Sequence, residues 1–527
     1  MQLSDHDLNQ LDEDKLLDLP EEDLRRLSIR LLNDLKEARE RLKQNSRNSS
    51  RPPSSEAPWD KANDTASDTD AIDAGEDTPD QEADNTSPAP PAKESKQDSQ
   101  TDSSQASDNV RKPGKQPGAQ GFGRQQVLPV TDYQDHRPEL CACCGTVFTA
   151  SQQKAYTAFD TVDLTWADAN DPGLRLITTR HTYYEATCRC DHVTRDEPYR
   201  HVPHGSLPNV VCSEWRLVGP GLAALIVCLA YRMRLSRERI REFLQDWLGL
   251  SLSVGTLNNT LHESGAAALP IEDELIEAVV NSQLLHVDET SWMELTTFLW
   301  LWVFSTDSVT AYWIAYRSAE LLENLLGADY LGWLMSDGYQ AYRRYPNRVR
   351  CWAHLLRKAQ GLEESFDPVA RQLGKQTLAL LNTLMNAIRE ARVDPPDKPL
   401  TETFQEALTL YRALCESLRE ATHKKTRELA GEMLNDWDAI FQVVASYHLP
   451  LTNNEAERAL RHWVILRRIS YGTRTEQGSR VFAILISVIE TCRKRQQSPW
   501  LYLAVVIDHQ RTGRPIPKLP PVVWGSE

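Results

Sequence analysis

The sequence has no apolar run long enough to cross a membrane. Its longest, from Leu217 to Tyr231, is interrupted by glycine and proline and falls short of the ~20 residues that a membrane-spanning helix needs. The first residues carry no basic start followed by an apolar core, so we expect no secretory signal. These absences argue against membrane and secreted classes, and we expect a cytoplasmic protein with no membrane partner.

Cysteine is scarce, with ten residues in 527. Disulfide-stabilised secreted folds are far richer in cysteine, and clustered cysteines in a reducing compartment indicate a metal site or simple burial. Hydrophobic residues at 40% and charged residues at 25% are ordinary globular usage. The length allows about three to four domains, so we expect a multidomain globular protein.

The chain also lacks an excess of positive charge, and its formal net charge of −16 would argue against a nucleic-acid partner. The acidity, however, is confined to the N-terminal fifth. Residues 1–110 hold 27 Asp and Glu against 13 Lys and Arg, whereas the remainder holds 48 against 46. Residues 57–109 have almost no aliphatic side chains, so we expect them to form a disordered acidic linker.

Two features flank this linker. Before it, leucines recur at helical spacing and predict a helix from Glu21 to Lys43, for which a short coiled coil and packing on its own protein fit equally. After it comes a Gly- and Pro-rich stretch whose cations suit phosphate contacts or a solvated linker end. These cations are Arg111, Lys112, Lys115 and Arg124.

Next come two cysteine pairs separated by 43 residues, Cys141 with Cys144 and Cys188 with Cys190. Four thiolates on two tight turns suit a tetrahedral structural zinc site of the zinc-ribbon kind. A Cys-x-Cys spacing strains simultaneous ligation, so His192 or Cys143 is an alternative fourth ligand. Four buried free cysteines are the other interpretation.

Residues 220–261 follow a helical pattern with recognisable caps. Ser236 and Ser253 are expected to begin helices, and Gly249 to end one. Three short helices with a tight turn between the last two resemble a helix-turn-helix, which would turn Asn258 and Asn259 toward DNA. Many helical bundles share this pattern.

From Gln283 onward, three apolar and β-branched runs separated by short turns predict an antiparallel meander. A helix, a fourth strand and a fifth strand leading into a long helix follow. This order matches a ribonuclease-H-like mixed sheet, in which the first and fourth strands are neighbours. Asp288 lies on the first strand and Asp337 at the end of the fourth, and a buried aspartate calls for a compensating cation such as Mg²⁺.

Two hard cations need a third carboxylate, and an arginine-rich helix starting near Glu455 offers one. Glu455 and Glu457 lie about 200° apart around this helix, so only one reaches the metals, and periodicity does not decide which. The arginines of this helix suit a phosphodiester, although a solvated charged helix is the alternative. They are Arg458, Arg461, Arg467 and Arg468.

The segments HVDET, SDGYQAY, CWAHLLRK and NNEAERALR, in this order, resemble the DDE transposases of the insertion sequence 66 family. The similarity covers nearly the whole chain, because the N-terminal helix, linker, cysteine module and helical segment follow the family's order. Two features depart from the family: the second cysteine pair is Cys-x-Cys where Cys-x-x-Cys is usual, and the linker is unusually long and acidic.

The resemblance implies a transposase that cuts DNA at the ends of its own element and joins them to target DNA. By this analogy Asp288, Asp337 and Glu457 bind two Mg²⁺ or Mn²⁺ ions, and the cysteine module holds a structural Zn²⁺. The family's Asn-Asn-x-x-Glu-Arg pattern selects Glu457. The resemblance also implies a homo-oligomer on DNA in a prokaryotic nucleoid, with accessory proteins encoded by the element as further candidate partners.

Three further residues are candidates for support of this site. Cys351 and His354 resemble a Cys-x-x-His signature of some DDE transposases, and both a metal-like role and packing of a helix start fit them. Asn454 is expected to orient the acid, as Arg458 is to contact a phosphate.

The predicted fold class is multidomain α/β, with a ribonuclease-H-like catalytic core that carries a helical insertion at about 358–447. The predicted domains are 1–45, leucine-rich helix; 46–125, acidic linker with the basic stretch; 126–205, zinc module; 206–275, helical DNA-binding segment; 276–505, catalytic domain; and 506–527, C-terminal tail.

Two alternatives remain. A domesticated, catalytically inactive transposase acting as a sequence-specific DNA-binding protein would keep the zinc module and the helical segment, but the intact acidic trio counts against it. A glycosidase using paired carboxylates explains neither the cysteine module nor the arginine-rich helix.

Overall fold

The protein is multidomain α/β, with mixed sheets and many helices. The chain divides into two compact units, residues 1–56 with 128–527 and residues 57–127. The structure, a computed structural model, describes residues 20–42, 126, 128–166, 173–202 and 205–522. The linker predicted at 46–125, including its four candidate DNA-binding cations, lies outside the described residues. None of the described helices is long and apolar enough to cross a membrane.

Helix α1 (Glu21–Leu42) confirms the predicted amphipathic helix. Three acidic residues occupy its first turn, where the helix dipole favours negative charge, and Arg25 and Arg26 each pair with the glutamate four residues earlier. Within the described residues this helix keeps much of its apolar stripe in contact with solvent. Its exposed leucines are Leu24, Leu31, Leu32 and Leu35.

A four-stranded sheet carries the cysteine pairs. Its strands are β1 (Asp132–His136), β2 (Gln153–Trp166), β3 (Leu174–Thr187) and β4 (Val193–Arg195). β3 lies between β1, its parallel partner, and β2, its antiparallel partner, and β4 pairs with the end of β3. The first cysteine pair therefore lies between β1 and β2, and the second in the turn between β3 and β4.

A small ladder and a helical segment follow. They comprise β5 (Arg200–His201), β6 (Cys212–Ser213), α2 (Pro220–Val227), α3 (Arg237–Leu248), α4 (Val254–Ala268) and α5 (Glu272–Val280). The side chains of Ser236 and Ser253 accept hydrogen bonds from backbone N–H groups of α3 and α4, and Gly249 ends α3 in the left-handed conformation. All three predicted caps are confirmed. A π-helical turn, Cys228–Arg232, continues directly from α2.

The central sheet contains β7 (Leu284–Glu294), β8 (Thr297–Ser305), β9 (Thr310–Ala315), β10 (Trp333–Ser336) and β11 (Arg348–Arg350). Their order across the sheet is β11-β10-β7-β8-β9. β7, β8 and β9 form an antiparallel meander, whereas β10 and β11 run parallel to β7. α6 (Ala319–Leu326) connects β9 to β10. The predicted meander and the contact between the first and fourth strands are confirmed.

The rest of the chain is helical. It comprises α7 (Trp352–Glu363), α8 (Pro368–Val393), α9 (Leu400–Thr403), α10 (Gln405–Ser417), α11 (Lys424–Asn435), α12 (Trp437–Ala445), α13 (Asn454–Ser470), α14 (Glu476–Lys494) and α15 (Pro499–Arg511). α14 covers the edge strand β9, because the side chains of Ser487 and Thr491 accept hydrogen bonds from the backbone N–H groups of Tyr312 and Thr310.

The C-terminal helix differs from expectation. α15 crosses the boundary expected between residues 505 and 506, so residues 506–511 belong to a packed helix rather than to a tail. Arg511 is buried and donates hydrogen bonds to the buried carboxylate of Glu263 on α4, at 3.1 and 2.9 Å. This ion pair ties α15 to the helical segment, an interaction between distant positions that sequence periodicity does not reveal.

A second buried charge cluster joins β11 to α11 and α12. The carboxylate of Asp436, at the start of α12, contacts Arg343 at 2.9 Å, Arg348 at 3.2 Å, and Arg350. Arg350 also contacts Glu432 of α11 at 2.5 Å. Burial alone would raise the pKa of Asp436, but the hydrogen bond from Arg343 and the neighbouring positive charges outweigh burial and lower this pKa.

Replacing Asp436 with Asn should lower the free energy of unfolding by about 3–5 kcal/mol near neutral pH, because three guanidinium groups lose their counter-charge. The folded-state pKa of Asp436 lies below its unfolded value. Its contribution is therefore present above that unfolded value and should shrink below about pH 4. Urea unfolding of both proteins across pH measures this difference.

The matched control is Asp438→Asn, which removes an exposed carboxylate two residues further along the same helix. It should change stability by no more than about 0.5 kcal/mol. Equal effects of the two substitutions would contradict a stabilising role for the cluster.

Candidate functional site

Asp288 and Asp337 lie on neighbouring parallel strands of the central sheet. Leu285 of β7 is opposite Leu334 of β10, and His286 is opposite Met335. Carrying this register two positions further brings Asp288 level with Asp337, which follows the last residue of β10. The structure thus brings together the two aspartates that the sequence singled out.

The charges around Asp288 repel one another. Burial, followed by the charges of Glu289 and Asp337, raises the pKa of Asp288 well above its usual range, and Glu457 adds to the rise. The backbone N–H of Glu289 opposes the rise by donating a 2.9 Å hydrogen bond to the Asp288 carboxylate. Such a cluster has a carboxylate excess that a divalent cation would neutralise.

Glu289 is a carboxylate that the sequence analysis missed. It is buried, and its carboxylate accepts hydrogen bonds from Arg317 at 2.8 Å and from the Tyr342 hydroxyl at 2.5 Å. Burial and then the charge of Asp337 raise the pKa of Glu289 to about 7. The available signal was its position beside Asp288, directly after the apolar start of β7, which puts two acids next to each other in a strand of the central sheet.

Glu457 and Glu455 have different surroundings on α13. Glu457 Oε1 lies 3.8 Å from His354 Nδ1 and 3.7 Å from Arg357 Nη2. Both Glu457 Oε1 and His354 Nδ1 are buried with no hydrogen-bond partner in the described structure. Glu455 is instead neutralised by Lys494 at 2.8 Å and Arg458 at 3.0 Å. The charge of Glu457 contributes to the raised pKa of Asp288.

The two asparagines at the start of α13 have different surroundings. Asn453 is the N-cap residue, immediately before α13, and its side chain makes no capping hydrogen bond. The side chain hydrogen-bonds His286 Nδ1 at 3.0 Å and donates to the Val287 carbonyl at 2.8 Å, which joins α13 to β7 beside Asp288. Asn454, the residue expected to orient the acid, is exposed. The anchoring contact therefore belongs to Asn453.

Cys351 and His354 lie at the start of α7, close to Glu457. The potential ligand atoms of these three residues all lie within 4.8 Å of one another. Burial, followed by the charge of Arg357, lowers the pKa of His354 to about 4. The Cys351 thiol accepts a 3.2 Å hydrogen bond from the backbone N–H of Asn453. These contacts are compatible with both predicted roles, a metal-like site and packing of the helix start.

The four arginines predicted to contact DNA from α13 divide into two groups. Arg458, Arg461 and Arg468 are exposed. Arg467 instead donates hydrogen bonds to the side chains of Thr290 at 3.0 Å and Ser291 at 2.8 Å. Its guanidinium is thus engaged with β7, a contact between distant positions that the helix sequence alone does not reveal.

A cleft of about 740 Å³ opens beside Asp337 and His354. Its walls bring together cations from the loop after β9, the turn after β10, α7 and α11, and sequence analysis identified none of them. These cations are Arg317, Arg343, Lys358 and Arg427. Three acids, Asp337, Glu428 and Glu432, share the lining with these cations. Basic side chains beside Asp337 suit an anionic chain held against bound cations.

The two cysteine pairs converge. The sulfur atoms of Cys141 and Cys190 are 3.7 Å apart, those of Cys144 and Cys188 are 3.4 Å apart, and all four lie within 4.8 Å of one another. Hydrogen bonds from Thr146 lower the pKa of the Cys144 thiol to about 6. The alternative ligands His192 and Cys143 are not part of this group. Four soft sulfur ligands can hold one tetrahedral metal ion.

The helical segment presents its predicted residues to solvent, since Asn258 and Asn259 are both exposed on α4. The basic-stretch candidates, Arg111, Lys112, Lys115 and Arg124, lie outside the described residues.

Comparison with known proteins identifies relatives in one organism. The uncharacterized protein y4hP of Sinorhizobium fredii (strain NBRC 101917 / NGR234) is 27% identical over 377 residues, which is 62% of this chain and 64% of that protein. The uncharacterized protein y4qI of the same strain is 23% identical over 385 residues, 66% of this chain and 68% of that protein. The matched region thus spans just under two thirds of y4hP.

Two family models match the chain. A family of unknown function (DUF6444) matches residues 10–77, most of which lie outside the described residues. The model of the IS66 family of transposases matches residues 216–481, half of the chain. This range contains Asp288, Asp337 and Glu457, whereas the cysteine module precedes it. The chain therefore belongs to the IS66 transposase family.

Proposed function

We propose that this chain is an active transposase that cuts DNA at the ends of an insertion sequence and joins them to target DNA. The observation that carries the proposal is the pair Asp288 and Asp337 on neighbouring strands, with the charge of Glu457 acting on Asp288, in a sheet of this strand order. In the proposed assignment the five-stranded sheet is a ribonuclease-H-like core, and the helices between α7 and α13 are its insertion.

The side chains of the cluster fit divalent cations. Burial, and then repulsion by the neighbouring acids, raises the pKa of Asp288, and Glu457 Oε1 has no hydrogen-bond partner among the described residues. Oxygen ligands of this kind suit Mg²⁺ or Mn²⁺, with Asp288, Asp337 and Glu457 as the residues that would hold them. When bound, two such ions supply an activated nucleophile and charge neutralisation at the leaving oxygen.

The other contribution of the protein is to position the DNA with its own side chains. Arg317 and Lys358 line the cleft beside Asp337, where they are placed to bind phosphate oxygens and orient the DNA backbone. Both cations also have carboxylate partners, since Arg317 pairs with Glu289 at 2.6 Å and Lys358 pairs with Glu432 at 2.6 Å. Exposed Arg458 and Arg461 extend the positive surface along α13.

The alternative of an inactive, domesticated DNA-binding protein is less well supported. Such a protein would need neither the carboxylate cluster nor the orphaned oxygen of Glu457, each of which costs stability in the absence of a ligand.

We further propose that the cysteine module holds a structural Zn²⁺ in a zinc-ribbon-like domain and that the module and the helical segment bind the element's ends. Four convergent sulfur atoms and the exposed Asn258 and Asn259 support these assignments. The protein would act as a homo-oligomer at the nucleoid of a prokaryotic cell.

Asp288→Asn, Asp337→Asn and Glu457→Gln should each abolish cleavage and joining of DNA, because each removes a charge that would hold a metal ion. Binding to DNA ends should stay within a few-fold of wild type. The control is Glu455→Gln on the same helix, whose acid pairs with Lys494 and Arg458. It should keep most activity in a strand-transfer assay with Mg²⁺. Substantial joining by Glu457→Gln together with loss in Glu455→Gln would move the third ligand to Glu455.

The freshly purified protein should contain about one tightly bound zinc per chain, and a Cys141→Ser, Cys144→Ser variant should lose it together with specific end binding. Elemental analysis by mass spectrometry measures the metal. Cys212→Ser, at a buried cysteine outside the cluster, is the control and should retain the zinc. Metal-free wild-type protein would contradict the zinc assignment. The alternative of four buried free cysteines is wrong as it stands, because Cys144 and Cys190 are exposed.

A further inference from the structure

A second cavity, of about 400 Å³, lies where the helical segment meets the end of α13 and the start of α14. Its apolar wall includes Trp292, Leu466 and Phe482. Three guanidinium groups, from Arg234, Arg237 and Arg474, line it, and no described Asp or Glu does. We call this the arginine-rimmed cavity. Its volume falls within the range of about 300–1,000 Å³ for small-ligand sites.

The three arginines lack acidic partners. Within the part of the chain that the structure describes, none of them forms an ion pair with a carboxylate. Arg234 and Arg237 are partly buried, and Arg474 is exposed. Partly buried cations usually have a carboxylate partner, so arginines without one around a single cavity favour an anionic ligand. The apolar wall requires that this ligand also carry a flat or apolar part.

The backbone around the cavity is irregular in three places. The π-helical turn Cys228–Arg232 contributes Tyr231 to the lining. Arg234, with φ of 59°, and Tyr471, with φ of 57°, adopt the left-handed conformation, which is uncommon for residues other than glycine. Irregular turns of this kind concentrate at binding sites, where the surrounding structure holds them in place.

The loop after α13 is held in place by the end of β7. Gly472 approaches the Met293 carbonyl so closely that a Cβ atom would collide with it. The Thr473 hydroxyl accepts a 3.1 Å hydrogen bond from the Trp292 indole N–H. The cavity is therefore preformed, which lowers the entropy cost of binding a ligand.

We propose that the arginine-rimmed cavity binds one unpaired nucleotide of a DNA strand, with the base against the apolar wall and the phosphate against the arginines. This inference rests on the proposed function, since the cavity would bind a DNA strand that has separated from its partner near the catalytic acids. Trp292 is four residues beyond Asp288 on β7, about 13 Å along the strand, so a DNA strand leaving the carboxylate cluster can reach the cavity.

Asn258 adds a polar group to the lining. It is one of the two residues that the helix-turn-helix pattern predicts to face DNA. Its side-chain amide can donate a hydrogen bond to a base edge and accept one from it. An extruded base is held by such edge contacts and by an apolar pocket, and Arg binds its phosphate.

The test compares a short duplex carrying a single-stranded overhang with the same duplex ending bluntly. Fluorescence anisotropy in EDTA measures binding without cleavage. The wild-type protein should bind the overhang about tenfold more tightly, as expected for one stacked base. An Arg237→Glu, Arg474→Glu variant should lose this preference. The Arg237→Gln, Arg474→Gln variant should weaken the overhang preference. It provides a second measurement if circular dichroism shows that the first variant is unfolded.

The matched control is Arg239→Glu, Arg241→Glu, which makes the same charge change on exposed positions of α3 outside the cavity. It should lower both affinities alike and keep their ratio. Equal binding of the two duplexes by wild type, or an unchanged ratio in the cavity variant, would overturn the proposal. Full displacement of the overhang duplex by an equal concentration of thymidine 5′-phosphate would also overturn the proposal, because the cavity would then be a site for a free nucleotide.

A negative result for nucleotide binding in the arginine-rimmed cavity is distinguishable from a negative result for the proposed transposase activity. Asp288→Asn should keep the overhang preference although it loses cleavage, because Asp288 does not line the cavity. A cavity without overhang preference in a protein that still cleaves DNA would leave the proposed function intact.

Discussion

Repulsion among the acids of β7 and β10 is the constraint around which the central sheet is arranged. Asp288 and Glu289 lie on β7 and Asp337 directly follows the neighbouring β10, and burial strengthens the interaction of these three carboxyl groups by lowering the local dielectric constant. Hydrogen bonds and ion pairs within the described structure compensate only part of this negative charge. Arg317 and Tyr342 bind Glu289, whereas Asp288 receives a single backbone N–H.

The surrounding elements hold this unfavourable arrangement together. Asn453 joins the start of α13 to β7 through His286 and the Val287 carbonyl. On the other side, Arg350 of β11 lies against Gly338, where a Cβ atom would meet both Arg350 and Glu432. The turn that follows Asp337 is therefore packed against β11 and α11. Buried polar contacts on both sides fix the positions of the acids before any ligand binds.

Local features of the fold could be predicted from the sequence because they depend on neighbouring residues. Ser236, Ser253 and Gly249 cap helices where expected, and the apolar runs after Gln283 form the predicted strand order. Features that depend on distant residues could not. Asn453 and His286 are 167 residues apart, and Arg511 and Glu263 are 248 apart. No periodicity connects such pairs, so the support of the site by Asn453 and the packing of α15 were missed.

The proposed metal site can be tested directly by replacing Mg²⁺ with Fe²⁺ in the full-length protein and generating hydroxyl radicals, which cut the backbone near the bound ion. Mass spectrometry of the fragments locates the cuts. The account predicts cuts near residues 288, 337 and 457, three segments far apart in sequence, and their suppression by excess Mg²⁺. Cuts that avoid these segments, or that Mg²⁺ does not suppress, would contradict it.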